Sequence, residues 1–435
     1  MKLARLLAIL IVSTGALAFQ ACSPKLSPVG PGWANNSVNA VIFRKNSIAS
    51  HQGIQYTAYY DAEGYVVLAK RQLPSGDWTV RKTGYTGNVR DAHNSISIIV
   101  DGNGILHMSW DHHGDQLNYC RSIAPGSLEL TAKQTMIGAN ESDVTYPEFY
   151  NIANGDLMFF YRDGESGRGN LIINRYDHRA QTWSRVQNKL IDGEDQRNAY
   201  IQASVDPNSE TIHLSWVWRE TWDVSTNHDL SYAVSRDGGK SWQTSAGVSY
   251  QLPITIENAE IAWEIPQNSE LINQTSMCAD LNGHPYIASY WTPKGETVPQ
   301  YHIVFHDGES WRASQVSDRK TPFSLSGGGT KRIPISRPQI LADSSGQNNK
   351  AYLIFRDEER SKRPSIAICD DLSSPSWVVE DLADIDLGQW EPSYDIGLWH
   401  REKVLHLFVQ RVDQGDGETS GEIPPQMVSV LRWSD

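Results

Sequence analysis

The protein has 435 residues, of which 38 are Lys or Arg and 51 are Asp or Glu, so its formal net charge is −13. This composition, with 10% aromatic residues, excludes a disordered chain and a multi-span membrane protein. The acidic balance also argues against generic nucleic-acid binding. The 15 Trp, 18 Tyr and 33 Gly are typical of many short strands joined by tight turns, so we expect an all-β protein.

The first 21 residues (1–21) have the pattern of an export signal peptide. A basic start is followed by an uncharged stretch from Leu6 to Phe19 that is too short to span a bilayer. The run FQAC that ends at Cys22 resembles a bacterial lipobox, and two alternatives stay open: lipid attachment to Cys22, or cleavage nearby without lipid. We expect residues 22–37 to be a linker or a lipid-anchored N-terminus. The protein is then secreted, periplasmic or anchored at the bacterial cell surface.

A recurring unit follows, in which an apolar strand runs into a polar turn and a second apolar strand ends in charged residues. Its seven turns begin near Asp61, Asp101, Asn151, Asp206, Asp280, Asp343 and Tyr394. Units of this length have room for four strands each, which predicts a single-domain, seven-bladed β-propeller over residues 38–435. We expect strands at Val38–Phe43 and Met427–Trp433 to share a blade and close the ring, which removes exposed sheet edges.

The segment Ser235–Trp242 (SRDGGKSW) has the full pattern of an Asp-box, a turn found between the third and fourth strands of some propeller blades. We expect Asp237 to accept hydrogen bonds from backbone N–H groups of the turn and Trp242 to pack between blades. The role of this motif is then structural and not catalytic.

Residues just before the first strand and just after the second strand of each blade converge on one face of a propeller, near its axis. Before the first strands we place His93, Tyr146, Tyr200 and Arg337. At the ends of the second strands we place Lys70 with Arg71, His112 with His113, Arg162, Arg219, Arg356 and Arg411. This pattern predicts a cationic patch that binds a polyanion. In the alternative, acidic neighbours such as Asp163 and Glu220 merely pair with the arginines; consecutive side chains on a strand, however, point to opposite faces.

The sharpest local signal is the pair His93 and His113, which a hairpin brings side by side; Tyr146 and Arg162 repeat the arrangement in the next unit. Abstracting a proton next to a uronate carboxylate needs a cation or strong donors on that carboxylate, because negative charge accumulates there. One group must then remove the C5 proton and another must protonate the leaving glycosidic oxygen. Tyr and His suit these tasks if neighbouring positive charge lowers the tyrosine pKa. The four residues together indicate β-elimination by a polysaccharide lyase.

The motifs DAHNS with WDHHGD, TYPEF with FFYRDG, and NHDLSYAVSRDGGKSW make the chain similar to the BNR-type propeller polysaccharide lyases, specifically the ulvan lyases. The resemblance covers most of the chain, from near Ala40 to the C-terminus. It implies a seven-bladed propeller that cleaves ulvan between sulfated rhamnose and a uronic acid by elimination, leaving an unsaturated uronyl end.

The resemblance also implies roles for the four residues. His93 and Tyr146 serve as general acid and base, and His113 and Arg162 neutralise the substrate carboxylate. Which residue is acid and which is base stays open, because the epimer at C5 decides the side of attack. As substrate-binding residues we predict Asn94, Tyr200, Arg219, Arg337 and Arg356. The expected partner is an anionic polysaccharide, and we expect a monomer with no nucleic-acid or protein partner.

Metal and cysteine chemistry is only weakly indicated. Cys120, Cys278 and Cys369 lie at long spacings without a C-x-x-C pair, so we expect no disulfide framework. The chemistry requires no cofactor, although some relatives hold a structural metal ion, zinc or calcium. A candidate zinc set within one unit is Cys278, His284, His302 and His306. Its spacing matches no standard signature, and satisfied core side chains are the alternative. Asn227 and His228 either line the groove or cap a long loop.

Two rival functions remain at this stage. A sialidase, a retaining glycoside hydrolase, is suggested by the Asp-box and by Arg332-Ile333-Pro334. That motif should open the first blade, whereas here it enters the sixth unit. The second rival is a non-catalytic glycan-binding propeller on the cell surface.

Overall fold

A computed structural model describes residues 25–165, 168–344 and 349–434. These residues form seven antiparallel sheets arranged as the blades of a propeller, which confirms the predicted fold. The first strands of blades one to three contact one another in succession around the axis, and so do those of blades four to six. Within the described ranges, no helix is long and apolar enough to cross a membrane. The predicted export signal and Cys22 lie outside the described residues.

The chain enters with β1 (Lys25–Gly32) and then builds blades one to four in order. Blade one contains β2 (Ile48–His51), β3 (Ile54–Tyr60), β4 (Tyr65–Gln72) and β5 (Thr79–Thr86). Blade two contains β6 (Ile96–Val100), β7 (Leu106–Trp110) and, beyond β8 (His113–Asp115), β9 (Tyr119–Arg121). Blade three contains β10 (Val144–Asn151), β11 (Leu157–Asp163), β12 (Asn170–Asp177) and β13 (Thr182–Gln187). Blade four contains β14 (Asn198–Val205), β15 (Ile212–Arg219), β16 (Asn227–Ser235) and β17 (Glu260–Trp263).

Three further blades complete the ring. Blade five contains β18 (Ser276–Ala279), β19 (Pro285–Trp291), β20 (Gln300–His306) and β21 (Trp311–Gln315). Blade six contains β22 (Gln339–Asp343), β23 (Lys350–Arg356), β24 (Pro364–Cys369) and β25 (Val378–Asp381). Blade seven contains β26 (Ser393–Tyr394), β27 (Leu405–Val409) and β28 (Gln426–Trp433), with helix α1 (Ile396–Glu402) between its first two strands. Short 3-10 turns lie at Ala153–Gly155, Val224–Thr226 and Glu358–Arg360.

The ring is closed by a different N-terminal strand from the one predicted. β1 pairs antiparallel with β28 as the outer strand of blade seven, so residues 25–32 are not a linker. Residues 38–43 are not a strand. Val41, Ile42 and Phe43 instead form a small buried cluster with Tyr146 packed against it, because an apolar run at the centre of the ring can be buried without pairing in a sheet.

Blade one is out of register with the predicted repeat. The turn at Asp61 joins β3 to β4, the second and third strands, whereas the first-to-second turn is the tight Gln52-Gly53 pair between β2 and β3. Lys70 and Arg71 therefore lie at the end of a third strand, away from the expected face. The Arg71 guanidinium donates to Gln55 Oε1 at 2.7 Å. These two cations do not belong to the patch; the third strand misled the prediction because it repeats the same apolar-then-charged pattern.

The Asp-box forms the structural turn that its sequence predicts. The Asp237 carboxylate accepts hydrogen bonds from the backbone N–H groups of Lys240 and Ser241, at 3.0 and 2.9 Å. Trp242 is 1% exposed and packs in a hydrophobic cluster with Phe160 of blade three and Trp216 of blade four. The motif thus ties two blades together.

We expect Trp242→Ala to lower the free energy of unfolding by about 3–5 kcal/mol, because it opens a large cavity between two blades. Trp377→Ala is the control, since Trp377 follows a similar turn in blade six but is only partly buried, and we expect a clearly smaller loss. Chemical denaturation monitored by circular dichroism measures both. Equal losses would contradict the interblade role of Trp242.

Candidate active site

A cavity of about 270 Å³ opens on the face where β11 and β15 end. The predicted residues in its wall are His93, His113, Tyr146, Arg162, Tyr200, Arg219 and Arg337. These side chains come from blades two, three, four and six, so the convergence expected from the hairpin pattern is present. The four residues proposed for chemistry surround a single space.

His93 and His113 form a stacked pair held by one carboxylate. Their ring centroids are 3.9 Å apart and their planes differ by 13°. Asp91 Oδ1 accepts from His93 Nδ1 at 2.8 Å and also from the His93 backbone N–H, and Asp91 Oδ2 accepts from His113 Nδ1 at 2.6 Å. Glu418, from the long loop after β27, lies 3.2 Å from the same nitrogen of His93. Phe43 lies nearly parallel to His93 at 5.0 Å.

These contacts shift the protonation of the cluster. Burial alone would lower the pKa of His93, but hydrogen bonds to Asp91 and Glu418 outweigh it and raise the pKa. Burial would raise the pKa of Asp91, yet the two imidazoles hold that pKa well below its usual range. The pKa of Glu418 is lowered in the same way, by its bond to His93 against the opposing effect of burial. An imidazolium at His93 is therefore stabilised by two carboxylates.

The short strand β8 connects the histidine pair to blade three. After β7 ends, the chain crosses to the inner edge of the neighbouring sheet, where β8 pairs with β10. His113 lies opposite Thr145 in that register, and Gly114 N donates to Thr145 Oγ1 at 2.8 Å. The next residue along β10 is Tyr146. The crossing therefore brings both histidines to the tyrosine, a connection that the hairpin pattern did not predict.

Tyr146 lies at a β-bulge. The register between β10 and β11 shifts between Thr145 and Glu148, and Tyr146 adopts a left-handed φ of 56°. Bulges re-aim side chains next to active sites, and a non-glycine residue in this conformation is held there by its surroundings. The Tyr146 ring lies 5.8 Å from His93 and 6.4 Å from Tyr200.

The expected lowering of the tyrosine pKa is wrong. Burial is the largest influence and raises the pKa of Tyr146, while the cations of Arg162, Arg219 and Arg337 offset it only in part. A buried phenol loses the hydration that would stabilise its phenolate. Tyr146 is accordingly a protonated phenol at neutral pH.

Arg162 and Arg219 are cations without a carboxylate partner in the described part of the chain. The Arg162 guanidinium lies 4.9 Å over the Tyr146 ring and donates to Thr145 Oγ1 at 3.3 Å. The Arg219 guanidinium lies 5.4 Å over the Tyr200 ring and donates to Tyr200 Oη at 3.3 Å. Neither forms an ion pair there, so the suggested pairing with Asp163 and Glu220 does not occur: Glu220 instead accepts from Arg197 and His228.

Unsatisfied polar atoms concentrate around the same cavity. The Nε atoms of Arg162 and Arg219 are buried and have no hydrogen-bond partner among the described residues. The same holds for Gln274 Oε1 and Thr330 Oγ1, which also belong to residues of the cavity wall. Buried polar groups are normally satisfied, so a cluster of four exceptions indicates a place for a polar ligand or ordered water.

Three of the predicted substrate-binding residues have other partners. Arg337 reaches the cavity wall, but Glu391 accepts both of its side-chain hydrogen bonds, at 2.8 and 2.7 Å. Arg356 does not line the cavity; its buried guanidinium donates to backbone carbonyls, including that of Trp390 at 3.2 Å. Asn94 is also outside the wall, with its amide donating to Asn88 O at 3.0 Å. The partners of Arg337 and Arg356 are visible only when the blades are assembled, whereas Asn88 is local to Asn94.

Several other candidates are structural. His112 is fully buried and accepts from Asn118 N, and burial lowers its pKa to about 3. Asn227 bonds Leu271 O, and His228 bonds two carboxylates, so both support loops and neither lines the cavity. Arg411 is exposed outside the wall, 3.8 Å from a carboxylate oxygen of Asp386.

The suggested zinc set does not assemble. Among the described residues, the groups whose metal-type ligand atoms gather within 4.8 Å are Asp91, His93 and His113, and Asp156, Asp177 and His178. In the first, Asp91 already bonds both imidazoles. In the second, the Asp156 carboxylate is bonded by Arg175 and His178. Hydrogen bonds and ion pairs account for both groups, and we assign no metal to either.

Sequence reasoning missed several residues of the wall. Trp222 lies at its rim with 67% of its surface exposed, and Lys331 follows a glycine-rich loop, SGGGT, that packs beside Trp222. Phe43 and Gln274 complete the lining near the histidines and the arginines. The available sequence signal for Trp222 was a second Trp shortly after the charged end of a second strand, in WRETW.

Comparison with known proteins agrees with this description. Residues 54–319, more than half of the chain, match the family model described as BNR repeat-containing family member. A curated relative, the long isoform of ulvan lyase from Alteromonas sp., is 28% identical over a segment that covers 28% of this chain. The matched segment spans 17% of the length of that relative.

Solved structures share the whole fold. A PL25 ulvan lyase superposes with a TM-score of 0.67 over 94% of this chain and 96% of its own, at 15% identity. The structure of this lyase bound to -[GlcA(1-4)Rha3S]- gives the same TM-score and coverage. At this identity the similarity establishes the architecture. With the family match over residues 54–319, the chain belongs to the BNR repeat-containing family.

Proposed function

We propose that the protein is a polysaccharide lyase that cleaves a uronate-containing polysaccharide, ulvan, by β-elimination. The observation that carries the proposal is the pair Arg162 and Arg219, two cations without a carboxylate partner within the described ranges, in one cavity with His93, His113 and Tyr146. Arg219 is buried and Arg162 is partly buried, and a cation removed from water without a counter-charge is costly, so the site suits an anionic ligand that supplies the missing charge.

A uronate carboxylate fits these donors. Arg162 lies beside Tyr146, and His113 lines the same cavity. Hydrogen bonds from a guanidinium and an imidazole to the carboxylate stabilise the enolate-like charge that develops when the C5 proton leaves. Arg219 adds a second guanidinium within reach of the same ligand.

We assign the base and the acid from the pKa directions of His93 and Tyr146. His93 removes the C5 proton, the C–H electrons form the C4–C5 double bond, and the C4–O bond breaks. Tyr146, a phenol because its pKa is raised, donates its proton to the departing glycosidic oxygen. The products are an unsaturated uronyl end and a free hydroxyl. Because the pKa of His93 is raised, its neutral, basic form becomes abundant only when the pH rises above the ordinary pKa of histidine.

The relatives support the same substrate class. The curated relatives that match this chain are named ulvan lyases, and one structure of the shared fold holds a glucuronate-rhamnose sulfate repeat. Against a sialidase, Arg332 of the Arg-Ile-Pro motif is exposed outside the cavity wall. A sialidase would release sialic acid without new ultraviolet absorbance, and a glycan-binding propeller would bind polymer and leave its length unchanged.

Tyr146→Phe should abolish the growth of ultraviolet absorbance from unsaturated uronyl ends on ulvan, a loss of at least about 10²-fold, since it removes the hydroxyl that donates the proton and keeps the ring. His93→Gln should have a comparable effect. Circular dichroism checks that both variants stay folded. Parental rates in both variants would contradict the assignment.

Arg162→Gln should lower kcat/KM by about 10²–10³-fold, as expected for a lost transition-state donor, and change the free energy of unfolding by less than about 1 kcal/mol because no ion pair is broken. Arg411→Gln, at the corresponding strand end of blade seven but outside the cavity, is the matched control and should retain activity. Steady-state kinetics and denaturant titration measure both. A loss of stability without a specific loss of activity in Arg162→Gln would return this residue to a structural role.

A further inference from the structure

Trp222 presents a large apolar ring to solvent at the rim of the cavity. It is 67% exposed, whereas Trp110 and Trp216 are fully buried and Trp242 is 1% exposed. Its side chain belongs to the cavity wall. Leaving an indole in water forgoes the free energy of burial, so an exposed ring beside a ligand site favours a role in binding.

The ring is held in place by its surroundings. The backbone of Gly327 and Gly328 lies beside it, and a Cβ at Gly328 would be 3.3 Å from the indole Cε3 atom. Gly327 N donates to Asp223 Oδ1 at 2.9 Å, which ties the two loops together. The Arg219 guanidinium donates to the Trp222 carbonyl oxygen. The Trp222 backbone is therefore held next to a cavity cation and the glycine backbone supports the indole, which reduces the entropy lost when a ligand covers the ring.

We propose that Trp222 forms a subsite for the sugar ring next to the uronate, with a C–H face of that pyranose stacked on the indole. The inference rests on the proposed function. A uronate bound by Arg162 and Arg219 places the neighbouring sugar of the polymer at the rim, because Arg219 contacts both the cavity and the Trp222 backbone. Stacking on a non-reacting ring strengthens substrate and transition-state binding alike, so it lowers KM and leaves kcat nearly unchanged.

The test uses the non-cleaving Tyr146→Phe protein and ulvan polymer in titration calorimetry. Adding Trp222→Ala should weaken polymer binding by about 5- to 10-fold, and Trp222→Phe should keep most of the affinity. Leu281→Ala, which removes another exposed apolar side chain on the opposite face (73% exposed), should change nothing. In the cleaving protein, Trp222→Ala should raise KM with kcat preserved.

The outcomes separate the two proposals. If Tyr146→Phe binds ulvan and Trp222→Ala does not weaken it, the subsite is wrong and the proposed function stands. If the Tyr146→Phe protein binds no uronate polymer and the parent releases no unsaturated ends, the proposed function fails and the subsite falls with it.

A separate observation concerns Asp91, which bonds two imidazoles at once. An ionised carboxylate only accepts hydrogen bonds, so both Nδ1 atoms must carry protons. Neither Nε2 atom of His93 and His113 is hydrogen-bonded to another described residue, and both rings line the cavity. When neutral, both rings thus present an unprotonated Nε2, the form that a general base requires.

We infer that Asp91 is a positioning residue that sets the tautomer and orientation of both imidazoles for the proposed elimination. An Asn at this position has one acceptor oxygen and one NH2 donor, so it can satisfy only one of the two rings in this tautomer. The other ring must turn or transfer its proton to Nε2. The corresponding change in a catalytic triad costs about 10⁴-fold in rate.

The charges around the pair determine the expected pH effect. Charged and titratable groups that face it are Asp111, Asp115, Glu418, Tyr146, Arg162 and Arg337. Asp91→Asn removes the carboxylate that stabilises the His93 imidazolium, so the pKa of His93 falls. The limb of the pH profile of kcat/KM that reports the titration of His93 then moves to lower pH. Glu418→Gln removes a single, longer contact and should shift it less.

Asp91→Asn should lower kcat/KM on ulvan by about 10²–10⁴-fold and shift the acid limb toward lower pH. A shift of the alkaline limb would also support the positioning role and would make His93 the acid. A folded Asp91→Asn protein with the parental rate and profile would overturn it. As a test without substitution, ¹⁵N NMR of the parent should find the Nδ1–H tautomer in both rings when neutral; an Nε2–H tautomer in either ring would also overturn it. The NMR outcome is independent of whether ulvan is the substrate, because that measurement needs no substrate.

Discussion

The burial of cations is the constraint on which the centre of this propeller depends. A guanidinium removed from water must find acceptors, since an uncompensated buried charge costs several kcal/mol. Arg44 is buried and donates to backbone carbonyls, among them Ile96 O at 2.8 Å, and burial lowers its pKa to about 9. Arg356 is satisfied by carbonyls in the same way, and Arg337 by Glu391. Arg162 and Arg219 differ from these three, because each keeps a buried Nε atom that has no hydrogen-bond partner in the described part of the chain.

The site also depends on two departures from a regular propeller. β8 leaves blade two and pairs with the first strand of blade three, and β10 carries a bulge at Tyr146. The first brings His113 to the neighbouring sheet, and the second turns the tyrosine toward the histidines. Both cost regular pairing, which is consistent with strain and irregularity being concentrated at functional sites.

The electrostatic organisation separates the two sides of the cavity. Asp91 and Glu418 contact His93 and favour its protonated form, while Arg162 and Arg219 lack acidic partners in the described ranges. An acidic protein with net charge −13 can thus hold a locally cationic pocket, since the field within a cavity follows its nearest charges. The partly buried phenol of Tyr146 lies close to both His93 and Arg162.

Much of this protein could be read from sequence because the signals were local. Hairpins, each formed by neighbouring residues, established seven blades, and the Asp-box turn formed as its spacing predicts. His93, His113, Tyr146 and Arg162 followed from equivalent positions in two consecutive units. The position of each strand within its blade was harder to predict. In blade one the third strand has the same apolar-then-charged pattern as a second strand, so the prediction placed Lys70 and Arg71 on the wrong face. The N-terminal strand β1 was missed because Pro and Gly interrupt it, and its partner β28 lies at the other end of the chain.

By itself, then, the sequence determined the all-β architecture, the number of blades and the four residues that meet at the cavity, because each rests on contacts between residues close along the chain. The tertiary structure alone decided which arginines have partners, which carboxylate bridges the histidines and where Trp222 lies. Those features join different blades, as when Glu418 reaches His93 and Glu391 reaches Arg337. Contacts between residues so far apart arise only when the ring closes and brings the blades together.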